Sequence, residues 1–206
     1  GNGWIRVILK FTTNSAQNYN YQSIEFQGGD GWIWGAQLEQ QSYPTSYIPT
    51  QGATSTRLQD IATNSGNASL INSEEGVLYA EIAALANDGF QKAISIYKDG
   101  SLDNVITIQY NSISNNIRYL YRQGVVSVSD LNFVVNDIKN NHKIAGTWKQ
   151  NEFKLFIDGI KVGEQLFGSV APLNTFVNLD FKRPDGQNFY GKNKALAVYK
   201  TALTDA

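Results

Sequence analysis

The sequence predicts an all-β protein: an antiparallel β-sandwich or jelly roll, preceded by a shorter β segment at the N-terminus. Three observations predict it. Eight short runs rich in β-branched and aromatic residues follow one another between residues 76 and 200, each bounded by Gly, Asn, Asp or Pro. Almost no stretch shows the 3.6-residue periodicity of an amphipathic helix. The run Ile157-Asp158-Gly159-Ile160 carries Asp-Gly between two apolar runs, a strong short hairpin signal. Short strands at close spacing with turn signals and no helices leave a sandwich or barrel-like architecture.

Composition narrows the function classes. The chain has 206 residues and a formal net charge of −1, and its Lys and Arg residues are scattered, so no phosphate-binding surface is indicated and nucleic acid is not an expected partner. There is no cysteine, which removes disulfides and thiolate metal sites. No apolar run approaches the roughly 20 residues of a membrane span, so no membrane insertion is expected. The chain starts at Gly1 with no charged-then-apolar leader and reads as a fragment or processed product.

Taken in order, Trp4 to Phe11 alternates Ile5, Val7, Leu9 and Phe11 with Arg6, Ile8 and Lys10, the period-two pattern of a half-buried strand. A second run spans Tyr19 to Phe26. Trp32, Ile33 and Trp34 form a compact β-favouring run, and Gly35 permits a bend or a close backbone approach. Pro44 and Pro49 then make Tyr43 to Thr50 an extended connector. The indoles of Trp4, Trp32 and Trp34 are expected to pack in a seam, Trp32 or Trp34 against residues beyond 70.

Asn2-Gly3-Trp4-Ile5-Arg6-Val7, Gly31-Trp32-Ile33-Trp34-Gly35-Ala36-Gln37-Leu38-Glu39 and Thr45-Ser46-Tyr47-Ile48-Pro49-Thr50 together resemble the closing half of a carbohydrate-binding-module-like jelly roll, of the kind found in phage tail and virion proteins. The resemblance covers about the first 57 residues. It implies a partial jelly-roll segment and exit linker over 1–52, followed by a second module over 53–206.

A Ser/Asn/Gly-rich linker leads to Asn72. The expected strands are Gly76 to Leu85, Lys92 to Lys98, Asn104 to Asn111, Asn116 to Gln123, Lys143 to Lys149, Glu152 to Asp158, Thr175 to Phe181 and Lys194 to Lys200. Gln150-Asn151 between two of these runs, and Asp158-Gly159 before Ile160-Lys161-Val162, together predict a three-strand meander. The only helix-like text is Leu203-Thr204-Asp205-Ala206, with Thr204 as a fair N-cap. Lys143 to Lys149, Phe153 to Gly159 and the closing Ala197-Val198-Tyr199-Lys200-Thr201-Ala202-Leu203-Thr204-Asp205-Ala206 resemble a concanavalin A-like or laminin-G-like sandwich, over roughly residues 70–206.

Catalysis is not indicated. A glycosidase on such a fold places paired carboxylates on one strand face about 5–9 Å apart, but Glu74 and Glu75 are adjacent, Glu81 is alone on its run, and Glu152 and Asp158 have no partner two residues away. His142 is the only histidine and reads as a solvated loop residue, so a serine nucleophile or a lyase would lack a base. No catalytic residue is assigned. Laminin-G-like domains often hold calcium in loops; the candidates are Asp99, Asp103 and Asn104, with Asp180, Asp185 and Asn188 elsewhere, although Asp99 to Asn104 is more simply a turn.

Sugar binding needs aromatic faces flanked by amides and charged groups. Tyr110, Tyr119, Tyr121 and Trp148, with Arg118, are the candidate glycan-binding residues, although Tyr119 and Tyr121 share strand parity with Ile117 and read first as core with a polar tip. The functional expectation is a non-catalytic virion-surface or tail-associated sandwich that binds a host or surface polysaccharide, a homo-oligomer in contact with other virion subunits. The alternatives are a purely structural decoration or fibre module, and a carbohydrate-binding module of a secreted bacterial polysaccharide-degrading enzyme.

Overall fold

Strand formation follows the alternation in the sequence. In a computed structural model of the chain, residues 3–12, 25, 27–28, 31–39, 44–56 and 66–203 are described. They contain ten strands: β1 (Gly76–Ala84), β2 (Lys92–Tyr97), β3 (Val105–Tyr110), β4 (Asn116–Gln123), β5 (Val126–Val134), β6 (His142–Lys149), β7 (Glu152–Ile157), β8 (Ile160–Gln165), β9 (Asn178–Asp180) and β10 (Gly191–Tyr199). There is no helix among the described residues. The expected helix start at Leu203 to Ala206 lies largely outside them.

All pairings are antiparallel, in two five-stranded sheets: sheet A in the order β10-β1-β6-β7-β8 and sheet B in the order β5-β4-β3-β2-β9. Leu78, Ala80 and Ile82 of β1, Ile144 and Trp148 of β6, and Phe153, Leu155 and Ile157 of β7 point into the core. Ile94, Ile96, Ile106, Ile108, Tyr110, Ile117, Tyr119 and Tyr121 meet them from sheet B. The fold is therefore an antiparallel β-sandwich of two five-stranded sheets. One glycine sets how closely its layers approach: a Cβ on Gly146 would stand 2.2 Å from Cδ2 of Tyr119. The bare backbone lets the Tyr119 ring lie on β6, where its hydroxyl donates to the Thr147 carbonyl at 2.9 Å.

The hairpins behave as their residues require. Asp158 and Gly159 both have positive φ, 52° and 85°, as a type I′ turn demands. Two strands depart from expectation. The Thr175 to Phe181 run is paired only over Asn178–Asp180. β5 was not among the expected runs, because its text Val126-Ser127-Val128-Ser129-Asp130-Leu131-Asn132-Phe133-Val134 changes phase after Val128. The ladder changes phase there too: Tyr121 faces Ser129 and Arg122 faces Ser127, leaving Val128 as the extra residue of a bulge.

The chain divides into two units, Gly1–Gln59 and Asp60–Ala206. In the first, the described residues form no strand, and Ile5, Val7, Ile8 and Leu9 are all exposed. The strand expected over Trp4 to Phe11 is not found, since alternation supplies a face but not a ladder partner. The run Tyr19 to Phe26 lies almost wholly outside the described residues. Trp4, Trp32 and Trp34 are exposed. The two motifs that carry the resemblance are joined locally. The Glu39 carboxylate accepts from Thr45 N at 2.9 Å and Thr45 Oγ1 at 2.8 Å, and Gln37 Oε1 accepts from Ile48 N at 2.8 Å. Gly35, at φ 71°, lies where a Cβ would press the Tyr47 ring at 3.3 Å, and that ring packs on Trp34 with centroids 4.7 Å apart.

Candidate functional site on the outer face of sheet B

The candidate glycan platform built from Tyr110, Tyr119, Tyr121 and Trp148 is overturned by burial. All four are at most 1 % exposed. Tyr119 and Tyr121 face Ile108 and Ile106 across the β3–β4 ladder, on the inner side of sheet B. Their polar tips are spent inside: Tyr121 OH accepts from Ala171 N at 2.8 Å, and Trp148 Nε1 donates to the Asn72 carbonyl at 3.1 Å. Tyr110 stacks near Phe189. Burial holds the Tyr119 phenol well above its ordinary pKa, the neighbouring Tyr121 adding to the effect, and pushes Tyr110 and Tyr121 up as well. An enclosed ring has no face to offer a pyranose.

Arg118 has the opposite parity and lies on the outer face. Residues opposite one another in the ladders share a face, so three rows can be read across β2, β3, β4 and β5. They are Ala93-Gln109-Arg118-Asn132, Ser95-Thr107-Leu120-Asp130 and Tyr97-Val105-Arg122-Ser127. The floor of Ala93, Ser95, Val105, Thr107, Gln109 and Leu120 is buried, with Ser95 Oγ and Thr107 Oγ1 bonded to each other at 3.1 Å. Around it stand accessible polar side chains. Arg118 holds Asp130 through two parallel bonds, Nε to Oδ1 at 2.7 Å and Nη2 to Oδ2 at 2.6 Å, and Asn132 Nδ2 donates to the same carboxylate at 2.9 Å. These bonds, that to Arg118 first, hold the Asp130 carboxyl below its usual range.

The second centre comes from the segment after β9. Arg183 donates to Asp185 from Nε (2.8 Å) and Nη2 (2.6 Å), to Gln109 Oε1 from Nη1 (2.6 Å) and to Gln91 Oε1 from Nη2 (3.1 Å). Its guanidinium thus bridges β3, the approach to β2 and its own loop, and it lowers the pKa of Asp185. The contact also fixes which end of the Gln109 amide is oxygen; Gln109 Nε2 is enclosed without a partner among the described residues. On the third row, Tyr97 OH donates to Asp180 Oδ2 at 3.3 Å, and burial together with that carboxylate raises its pKa. Arg122 Nη2 donates to the Val125 carbonyl at 3.0 Å. The face therefore carries guanidinium, carboxylate, amide and phenol groups held in place by one another.

Outer-face aromatics exist on sheet A as well. Tyr79 and Phe156 flank Ala145 in one row, both half-buried, and Tyr199 is 56 % exposed. Parity was the signal that would have found them: Tyr79 alternates with Leu78 and Ala80, and Phe156 with Leu155 and Ile157.

Of the residues proposed for calcium, Asp99 and Asn104 accept backbone N–H groups with their side chains, and Asp103 is held through its own backbone N–H. Asp99 Oδ1 accepts from Ser101 N at 2.9 Å, Asp103 N donates to Ser101 Oγ at 3.2 Å, and Asn104 Oδ1 accepts from Gly124 N at 3.2 Å. Asp180 and Asp185 serve Tyr97 and Arg183, and Asn188 Nδ2 reaches Tyr190 OH at 3.4 Å. Among the described residues no three His, Cys, Asp or Glu side chains converge as a metal-holding group. His142 is not a free loop residue: its Nδ1 lies 2.7 Å from Asp158 Oδ2 and its Nε2 3.2 Å from the Asp137 carbonyl. Among the described residues no helix is long and apolar enough to cross a membrane.

Comparison with known proteins places the fold. No family model and no curated protein matches the sequence. Solved structures do match. The CBM40 module of a Ruminococcus gnavus IT-sialidase, bound to α2,3 sialyllactose, superposes with a TM-score of 0.53 at 15% identity, over 69% of this chain and 88% of that one. A second structure of that module gives 0.52 at 15% identity, over 69% and 89%. A leech intramolecular trans-sialidase gives 0.50 at 17% identity over 65% of this chain, which spans only 22% of that enzyme. The likeness is one of fold.

Proposed function

We propose that the chain is a non-catalytic glycan-binding sandwich and that the outer face of sheet B holds the sugar. The observation that carries this reading is the network of Arg118, Asp130 and Asn132 beside Arg183, Asp185, Gln109 and Gln91. Sugar hydroxyls are bound by planar amides, carboxylates and guanidinium groups, and groups already oriented by their neighbours lose little entropy on binding. Tyr97 gives the same face an aromatic edge. Sheet A offers aromatic rings in a row with the ion pairs Lys154–Glu152 and Lys194–Glu81, and sheet B is preferred because guanidinium, carboxylate and amide groups are linked there across three strands and the loop after β9. The fold shared with a CBM40 module is consistent with this use.

The setting we favour is extracellular or at a virion surface, with a host or environmental polysaccharide as ligand. The second reading is a binding appendage of a secreted enzyme; a sandwich of this fold covering only part of a leech trans-sialidase favours it. A glycan array probed with the whole chain and with Arg118→Ala and Arg183→Ala tests the proposal. Retention of a defined sugar by the wild type, lost in both variants while their circular dichroism is unchanged, is the expected result. No retained sugar across neutral and acidic glycans, or retention that both variants keep, would refute it.

A further inference from the structure

Among the described residues the sandwich has four edge strands; three carry short length or flanking charge that discourages pairing with another chain, whereas β5 has only a bulge at one end, at Val128, and Ser129 to Val134 keep an unbroken register. β9 is three residues long. β8 has a register irregularity opposite Leu155/Phe156 and bears Lys161 and Glu164. β10 bears Lys192 and Lys194 and has an irregularity opposite Glu81/Ile82. Short length, charge and bulges are the devices by which sheets blunt an edge. β5 is nine residues long, contains no Lys, Arg or Pro, and its single charge, Asp130, is already neutralised by Arg118. Val126, Phe133 and Val134 are exposed.

The backbone direction can be read from one bond. Val135 N donates to the Asn115 carbonyl at 2.9 Å, which sets the alternation of the β4–β5 ladder. Ser129, Leu131 and Phe133 therefore turn their backbone groups to β4, while Asp130, Asn132 and Val134 turn theirs to the open edge. The bulge end is closed off by Gln165, whose Nε2 bonds the Val128 carbonyl. The open stretch is thus 129–134.

We propose that this edge is a self-association surface and that its partner is β5 of a second copy, paired antiparallel about a two-fold axis at Leu131. This register is self-complementary. Asp130 faces Asn132 of the second copy, carboxylate against amide, twice by symmetry; Leu131 faces itself, and Ser129 faces Phe133. A register centred on Asp130 would instead set two carboxylates opposite each other, which cross-strand pairing disfavours. The outcome is a continuous ten-stranded sheet across the dimer, with the polar outer face of sheet B doubled in area. The inference stands on the edge alone and does not depend on the sugar reading.

Sedimentation of the whole chain over a wide concentration range tests it, alongside Asn132→Pro and Asn132→Asp. Proline at 132 removes an N–H that faces the open edge and not β4, so the ladder within the sandwich is kept; aspartate sets a second carboxylate opposite Asp130 of the other copy, twice by symmetry, without changing the backbone. The wild type is expected to shift from monomer to dimer as concentration rises, and both variants to stay monomeric with unchanged circular dichroism. The sequence has no cysteine, so Leu131→Cys introduces a unique thiol. A non-hydrogen-bonded antiparallel pair has Cα atoms about 4.5 Å apart, within disulfide reach, so mild oxidation should link two chains. A wild type that is monomeric at every concentration, variants that dimerise as it does, or a dimer that Leu131→Cys fails to cross-link would each overturn the proposal.

Discussion

Replacing Trp148 by alanine separates a core role from a binding role most sharply. The indole is 0 % exposed, faces Phe153 across the β6–β7 ladder, and donates its N–H to the Asn72 carbonyl at 3.1 Å. Truncating a buried Trp costs about 3–5 kcal/mol through lost transfer energy and the cavity left behind. The Asn72 carbonyl also loses its donor, adding roughly 1 kcal/mol unless water replaces it. A domain of this size shifts by about 2–4 °C per kcal/mol, so a fall in Tm on the order of 10–15 °C is expected. Circular dichroism is the right probe, because Trp148 is the only tryptophan of the second unit and its removal takes the fluorescence signal with it. Trp148→Phe should recover more than half of the loss. A fall below about 1 kcal/mol for the alanine variant would contradict a core placement. So would a variant of unchanged stability that had lost sugar binding.

Three further outcomes follow from the same geometry. Gly146→Ala forces a Cβ to within 2.2 Å of the Tyr119 ring, and overpacking of this kind costs about 1–3 kcal/mol or more, readable as a lower urea midpoint. Asp130 and Asp185 have folded pKa values below the ordinary 3.8, held down first by Arg118 and Arg183 respectively. Their contribution to stability is therefore complete above the unfolded value and is lost as pH falls through the folded one; Asp130→Asn should show a smaller drop in urea midpoint between pH 5 and pH 3 than the wild type, and an equal drop would count against the pairing. Arg183→Ala leaves the Gln109 oxygen and the Asp185 carboxylate without their donor, with a cost of about 1–3 kcal/mol by chemical denaturation, and Arg183→Lys should restore only part of it.

Much of the sandwich was legible in the sequence, for identifiable reasons. β4 was read with its observed limits, since Ile117, Tyr119 and Tyr121 alternate cleanly between an Asn and a Gln. The Asp158-Gly159 turn was legible because few residue pairs tolerate two positive φ values in succession. β5 was hidden by its own bulge, which breaks the alternation at Val128. Residues Trp4 to Phe11 misled in the other direction: alternation describes what a strand would bury, but a ladder requires a partner that one segment's text does not reveal. The candidate site was less readable. Parity already put Tyr119 and Tyr121 with Ile117, and the same rule, applied to Tyr110 beside Ile106 and Ile108, sends it inward. Arg118 was found because it has the opposite parity. Arg183 was missed because its partners Gln109 and Gln91 lie 74 and 92 residues away, and only the folded chain brings an arginine from a late loop onto β3.

The claim that sheet B carries the glycan site is tested most directly by amide chemical-shift mapping with the sugar that the array retains. Shifts concentrated on Ser95 to Tyr97, Thr107 to Gln109, Arg118 to Arg122 and Arg183 to Asp185 are the predicted result. Shifts confined to Tyr79, Ala145 and Phe156 on sheet A, or none at saturating sugar, would contradict it.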